Sequence, residues 1–156
     1  MHINPDHFLQ TEHGRVITPE RNQQAWHRSY EALENALSSC TSSTKVYVLI
    51  GAQGSGKSTW AKAQASVLPE AIFFDAILVQ RSERAPILSR TKAYDVPAVA
   101  VWFRTPLEVC IARNAERAPD EVVPERGIRN VYAAMESPIG NEGFEQVLEV
   151  PLETDA

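Results

Sequence analysis

The chain has little excess charge of either sign, few cysteines and no long apolar run. Its formal net charge is −5 over 156 residues, so it lacks the basic footprint of a tight, non-specific nucleic-acid binder. A local basic groove remains compatible with that total. Cys40 and Cys110 are the two cysteines, and no C-x-x-C pair accompanies them, which argues against a disulfide framework or a zinc knuckle. His2, His7, His13 and His27 lack metal-ligand spacing and are expected as solvated or capping side chains. The N-terminus shows no apolar h-region, and no stretch approaches a membrane span. A cytoplasmic protein with reduced thiols and no membrane partner is therefore expected. Internal repeats and low-complexity segments are also missing. What is left is an ordinary globular composition, 44% hydrophobic and 22% charged, in a length that fits one domain with one sizeable core.

Against that background one motif carries chemistry. Residues 51–59 read Gly-Ala-Gln-Gly-Ser-Gly-Lys-Ser-Thr and fit the phosphate-loop pattern G-x-x-x-x-G-K-[ST], with Gly51, Gly56, Lys57 and Ser58 in its fixed places. Small residues let the backbone wrap a phosphate closely, so the N–H groups of Gln53, Gly54, Ser55, Gly56, Lys57, Ser58 and Thr59 can form an anion nest. The following helix adds its positive end. Lys57 reaches the β- and γ-phosphates, and the Ser58 hydroxyl is placed to hold Mg²⁺. Context agrees with the motif. Residues 45–50 are an apolar, β-branched run that reads as a buried strand. Residues 58–65 are helix formers without a breaker. A nucleoside triphosphate, ATP or another, with Mg²⁺, is the expected ligand.

The flanking chain reads as alternating strands and helices. Residues 2–6 form a very short strand and turn, limited by Pro5 to an edge or an end, and a polar loop runs on through Gly14. Thr18-Pro19 predicts a helix start, and Trp26, Tyr30, Leu33 and Leu37 at helical spacing predict an amphipathic helix over 19–39 with these residues in the core. Further strands are expected at 71–75, 99–103 and 144–150. Helices are expected at 82–94, from a capping box at Thr105-Pro106-Leu107-Glu108 to about Asn114, and from Pro124 with Ile128, Val131, Tyr132 and Met135 on one face. This alternation predicts an α/β, three-layer P-loop NTPase or kinase fold, with a parallel sheet of about five strands covered by helices on both faces. Ligands then bind outside the carboxyl ends of the strands, on the rim made by the loops after Ile50, Phe74 and Phe103.

Three sets of charged residues fall near that rim. Asp75 ends an apolar strand, where a carboxylate can support Mg²⁺, orient Ser58 or accept a proton. Arg113 and Arg117 lie four residues apart and share a face. They enter a polar stretch at 115–123 that suggests a lid over the triphosphate, where guanidinium groups suit the spread of charge. Arg81, Arg84, Arg90 and Lys92 follow the Asp75 strand, facing either a polyanionic acceptor or solvent.

From Gly51 onward the chain resembles the kinase domains of polynucleotide 5′-hydroxyl kinases of phage and animal types. The carrying residues are GAQGSGKSTW at 51–60, Arg113-Asn114-Ala115-Glu116-Arg117 followed by Val122-Val123-Pro124, and a last segment from Glu136 to Leu152 with Glu142-Gly143-Phe144 and Pro151. One departure is plain: the acceptor-side strand and helix that family members carry after the loop helix are missing there. Ile3-Asn4-Pro5-Asp6 and the helix bearing Trp26 to Leu37 look like that segment transposed to the N-terminus. The resemblance then implies one P-loop kinase domain over 1–156, divided into an acceptor-side segment (1–44), a core (45–112), a lid (113–124) and a C-terminal helix and strand (125–156). It implies Asp6 as the base, with Asp75 as the alternative, Lys57, Arg113 and Arg117 as the catalytic cations, Ser58 and Asp75 at the metal, and Arg81 and Arg84 toward the acceptor. It also implies phosphoryl transfer to the 5′-OH end of a nucleic acid, with a repair ligase or other protein as a possible partner. A small hydroxylated acceptor and a nucleotide-binding regulatory ATPase are the competing readings. The phage enzymes place an arginine three residues after their catalytic aspartate; here that position is Leu9.

Overall fold

A computed structural model describes residues 1–150 of the chain. Five strands form one parallel sheet: β1 (His2–Ile3), β4 (Val46–Ile50), β5 (Ile72–Asp75), β6 (Ala98–Phe103) and β7 (Gln146–Val150), in the spatial order β1-β5-β4-β6-β7. Two more strands, β2 (Gln10–Thr11) and β3 (Gly14–Arg15), make a separate antiparallel hairpin. The helices are α1 (Pro19–Ser38), α2 (Lys57–Ala65), α3 (Arg81–Ala93), α4 (Leu107–Ala115) and α5 (Glu125–Ala133). This is the predicted layered α/β architecture. Among the described residues no helix is long and apolar enough to cross a membrane.

The sheet is buried on both faces, as parallel sheets are, and the two-residue side-chain period divides β4 between two cores. Val46, Val48 and Ile50 pack with Phe74, with Leu33 and Leu37 of α1 and with Ile87 of α3. Leu49 points the other way, toward Phe73, Val101 and Ala61 of α2. Helix α1 begins as its sequence predicts: Pro19 is its first residue, and Thr18 Oγ1 accepts a hydrogen bond from Arg21 N at 3.1 Å. Its aromatic stripe is half-buried and packs against the core. The Trp26 and Tyr30 rings stack on Phe74 at centroid distances of 6.1 and 6.2 Å.

The sheet order places β1 outside β5. His2 aligns with Phe73 and Ile3 with Phe74 in parallel register, so the first residues of the chain form an edge of the nucleotide-binding sheet. After β1 the chain turns through a short 3₁₀ segment, Pro5–Leu9. Pro5 presets its backbone, and Asn4 Oδ1 accepts from Asp6 N at 2.9 Å.

Local expectations fail where tertiary contacts intervene. The stretch expected as a loop through Gly14 contains the β2–β3 hairpin. Thr105 does not cap α4, which starts at Leu107 with no side-chain cap. Its hydroxyl donates instead to Ser55 O at 2.8 Å, tying the phosphate loop to the end of β6. Met135 lies just beyond α5 but still packs against the main core.

Arg84 corrects a further expectation. It is fully buried, and its guanidinium donates to Leu78 O (2.8 Å), Val79 O (3.1 Å), Glu136 O (3.1 Å) and both Glu142 carboxylate oxygens (2.9 and 3.0 Å). All its donors are spent inside the fold, so it cannot face an acceptor. Arg81 is likewise engaged, with Ser137 O at 3.1 Å and with Glu136 and Glu142. Glu142, part of the E-G-F segment, therefore anchors residues 136–143 to α3. Pro151 and Leu152, the end of that segment, lie outside the described residues. Truncating Arg84 to Ala removes five hydrogen bonds, takes this donor from Leu78 O and Glu136 O, and leaves the Glu142 side chain with Arg81 and the Ile139 N–H. The expected cost is about 3 kcal/mol, read as a lower urea midpoint at unchanged m-value.

Candidate active site

The phosphate loop links β4 to α2. Gly54 and Gly56 sit at φ +79° and +101°, in the left-handed region that a side chain disfavours. A Cβ at Gly54 would also collide with the Cys110 carbonyl oxygen, because the loop crosses directly over α4. Cys110, Ala52 and Ile128 form a small core beneath this crossing. The loop residues Gln53–Gly56 and the first turn of α2 line one cleft.

Lys57 is buried and donates from Nζ to Gly51 O (2.9 Å) and Ala52 O (3.0 Å). Burial pulls its ammonium below the ordinary value, opposed by the negative charges of Asp75 and Asp6, while Arg117 pushes in the same direction as burial.

Asp75 ends β5 beside the loop and is 2% exposed. Its Oδ2 accepts from Ser58 Oγ at 2.6 Å and Asn4 Nδ2 at 3.3 Å, and lies 2.8 Å from His2 Nε2. Burial alone would raise this carboxyl. The His2 hydrogen bond, the Lys57 charge and the Ser58 bond outweigh burial and hold it below its usual 3.8. The ionised form therefore stabilises the fold fully above that value, and the contribution is lost as pH falls through the lowered folded value. Thermal unfolding followed against pH should show a steep acid limb below about pH 4, and Asp75→Asn should flatten it.

The expected site residues separate cleanly. A cleft of about 1350 Å³ is lined by Asp6, the loop from Gln53 to Thr59, Asp75, Arg113 and Arg117. Arg81 and Arg84 are not among its lining. Arg113 lies over the loop: its Nη1 is 3.5 Å from where a Gly56 Cβ would stand. Arg117 faces the cleft from beyond α4 and pairs with Glu121 at 3.8 Å. Asp6 reaches the opposite wall from the 3₁₀ turn, half-exposed, with Arg15 Nη1 at 3.4 Å from its Oδ2.

Four contributors escape a reading of the sequence. His2 is no solvated histidine: β1 pairing carries it to Asp75, whereas His13 and His27 are exposed as expected. Asn4 both caps the Asp6 turn and bonds Asp75. Their one signal is polar residues on either side of apolar Ile3, the alternation of a strand end. Asn114 closes the base of the lid, donating from Nδ2 to Val123 O (2.7 Å) and accepting Val123 N on Oδ1 (3.0 Å). Arg15 joins the cleft from the hairpin, and nothing in the local sequence marks it.

Ser58 and Asp75 present hard oxygen donors of the kind Mg²⁺ takes together with phosphate oxygens and water, and their mutual contact fits that use. No cluster of three His, Cys, Asp or Glu ligands occurs among the described residues.

Comparison with known proteins agrees with this architecture. A family profile described as an AAA domain matches residues 68–138, a span that begins after the phosphate loop and runs from the turn before β5 through α5. No curated protein matches the sequence. Among solved structures, the chain is similar to Chaetomium thermophilum Kti12 in complex with ADP-AlF3, at 14% identity and a TM-score of 0.60, over 70% of this chain and 90% of that one. Motif, strand order and structural likeness lead to one conclusion: this chain is an α/β nucleotide-binding domain with the P-loop NTPase fold.

Proposed function

We propose that the protein is a kinase that moves the γ-phosphoryl group of ATP to a hydroxyl acceptor, with the 5′-hydroxyl end of a polynucleotide as that acceptor. The observation that carries the reading is the meeting of Asp6 with the phosphate loop and the arginine lid in one cleft. A nucleotide switch needs the loop and Asp75. A second carboxylate on the far wall is what a hydroxyl acceptor requires. The parallel pairing of β1 with the outer side of β5 supports the idea that residues 1–44 supply an acceptor side displaced in sequence.

On this reading the acceptor oxygen attacks the γ-phosphorus in line, its proton passes to Asp6, and the bond from γ-phosphorus to the β–γ bridging oxygen breaks to leave ADP. Lys57, Arg113 and Arg117 spread the charge on the transferring group. Ser58, with Asp75 in support, would hold a magnesium ion, which would supply charge neutralisation at the phosphates. His2 and Asn4 keep the Asp75 carboxylate oriented. Since the transition state is loose, positioning and electrostatics carry most of the rate.

A small hydroxylated substrate is the second reading. It is favoured by the burial of Arg84 and the surface ion pairs of Arg81 with Glu136 and Glu142, which occupy the cations expected to grip a polyanion, and by the Gln10, Asn22 and Trp26 lining of the cleft. Transfer of labelled γ-phosphate settles the choice. Label on the 5′ end of a hydroxyl-ended oligonucleotide is the expected result. Label only on members of a nucleoside and sugar panel would move the acceptor to small molecules. Release only as inorganic phosphate would replace the kinase by a regulatory ATPase.

A further inference from the structure

The β2–β3 hairpin touches the lid at its tip. Arg15 N donates to Asp120 Oδ2 at 2.7 Å, and Arg15 Nη2 lies 3.9 Å from Glu121 Oε1. The approach depends on Gly14, which is at φ +98° and whose missing Cβ would stand 3.1 Å from Asp120 Oδ2. The same arginine reaches Asp6 at 3.4 Å with Nη1, and Glu121 continues to Arg117 at 3.8 Å. Its side chain is 12% exposed, and Nε is buried without a partner. A chain of alternating charge therefore runs Asp6–Arg15–Glu121–Arg117 across the cleft, from the acceptor wall to the lid arginine.

We infer that the 10–15 hairpin is a latch for the lid, with Arg15 as a positioning residue that sets Asp6 and Arg117 together. The inference rests on the kinase reading for its catalytic consequence, while the latch itself is a statement about the lid. Its logic is geometric. The base of the lid is already clipped by the Asn114–Val123 pair, so the free coordinate is the swing of residues 115–122. Contacts at the tip are solvent-facing and individually weak, which holds the lid without locking it and suits a segment that must open for exchange of nucleotide. One guanidinium bridging both walls means that closure over the nucleotide and placement of the acceptor-side carboxylate occur together.

Hydrogen exchange of the 115–123 segment tests the latch directly in the full chain. Arg15→Ala and Asp120→Ala should each speed exchange there by about tenfold, leaving α1 and the sheet as in the parent. Asp120 is exposed, so its variant keeps the test valid if Arg15→Ala does not fold. Turnover should fall by about tenfold in both variants, with ATP affinity held within about twofold. Arg15→Ala combined with Glu121→Ala should lose less than the sum of the two single losses, because the two share one pair while Glu121 also holds Arg117. Unchanged lid exchange in Asp120→Ala, or full additivity in the double variant, overturns the latch. A parent protein that phosphorylates no acceptor while Asp120→Ala still loosens the lid refutes the kinase reading and leaves the latch standing.

Discussion

Replacing Asp6 by Asn should lower phosphoryl transfer by about 10³- to 10⁴-fold, the scale of a lost general base with its positioning role, and leave ATP binding near the parent level. The substitution is close to isosteric. The turn that carries residue 6 is held by Pro5 and by the Asn4 Oδ1 bond to its backbone N–H at 2.9 Å, neither of which uses the carboxylate. What is lost is the proton-accepting oxygen, together with the ion pair to Arg15. Single-turnover transfer and titration with a fluorescent ATP analogue separate the two effects. Near-normal turnover in this variant would hand the base role to Asp75 and remove the support for a transposed acceptor side.

The second large effect concerns the lid. Arg117→Ala should reduce kcat by about 10³-fold, as expected for an arginine that meets charge mainly in the transition state, with a much smaller change in the KM for ATP. Arg117 is about one-quarter exposed and its visible partner is Glu121, so the fold should survive its removal. Arg113 is less suited to the same role. It lies over Gly56 and is better placed to contact the nucleotide in its ground state, so Arg113→Ala should act more on KM. Steady-state kinetics with the better acceptor would check both, and an unchanged kcat in Arg117→Ala would cancel the lid assignment.

Residues that act through their immediate neighbours are legible in the sequence. The phosphate loop is nine contiguous residues whose spacing encodes one backbone path. The strands around it are short apolar runs, and α1 announces itself through Thr18-Pro19 and its aromatic stripe. Asp75 followed from its place at the end of such a run. Residues whose role depends on a distant partner were misread or missed. Arg84 looks like a surface cation on a charged helix; it is buried with Glu142 and the carbonyls of Leu78, Val79 and Glu136 converging on it from two segments of the chain. Thr105 has the sequence of a cap and is used by Ser55 O instead. His2 carries only the weak mark of strand alternation around Ile3, and Arg15 carries none.

A phosphate loop and hydrophobic periodicity are local properties of the chain, so the amino-acid sequence is enough to show a nucleotide-phosphate site at the carboxyl ends of the strands of a parallel α/β sheet. Which other residues share the cleft is set by long-range packing. Parallel pairing of β1 with β5 brings His2 and Asn4 to Asp75 and Asp6 to the far wall, and the hairpin brings Arg15 to the lid. Strand order and long-range ion pairs depend on which surfaces are buried together, and that is a property of the whole fold rather than of any stretch of it.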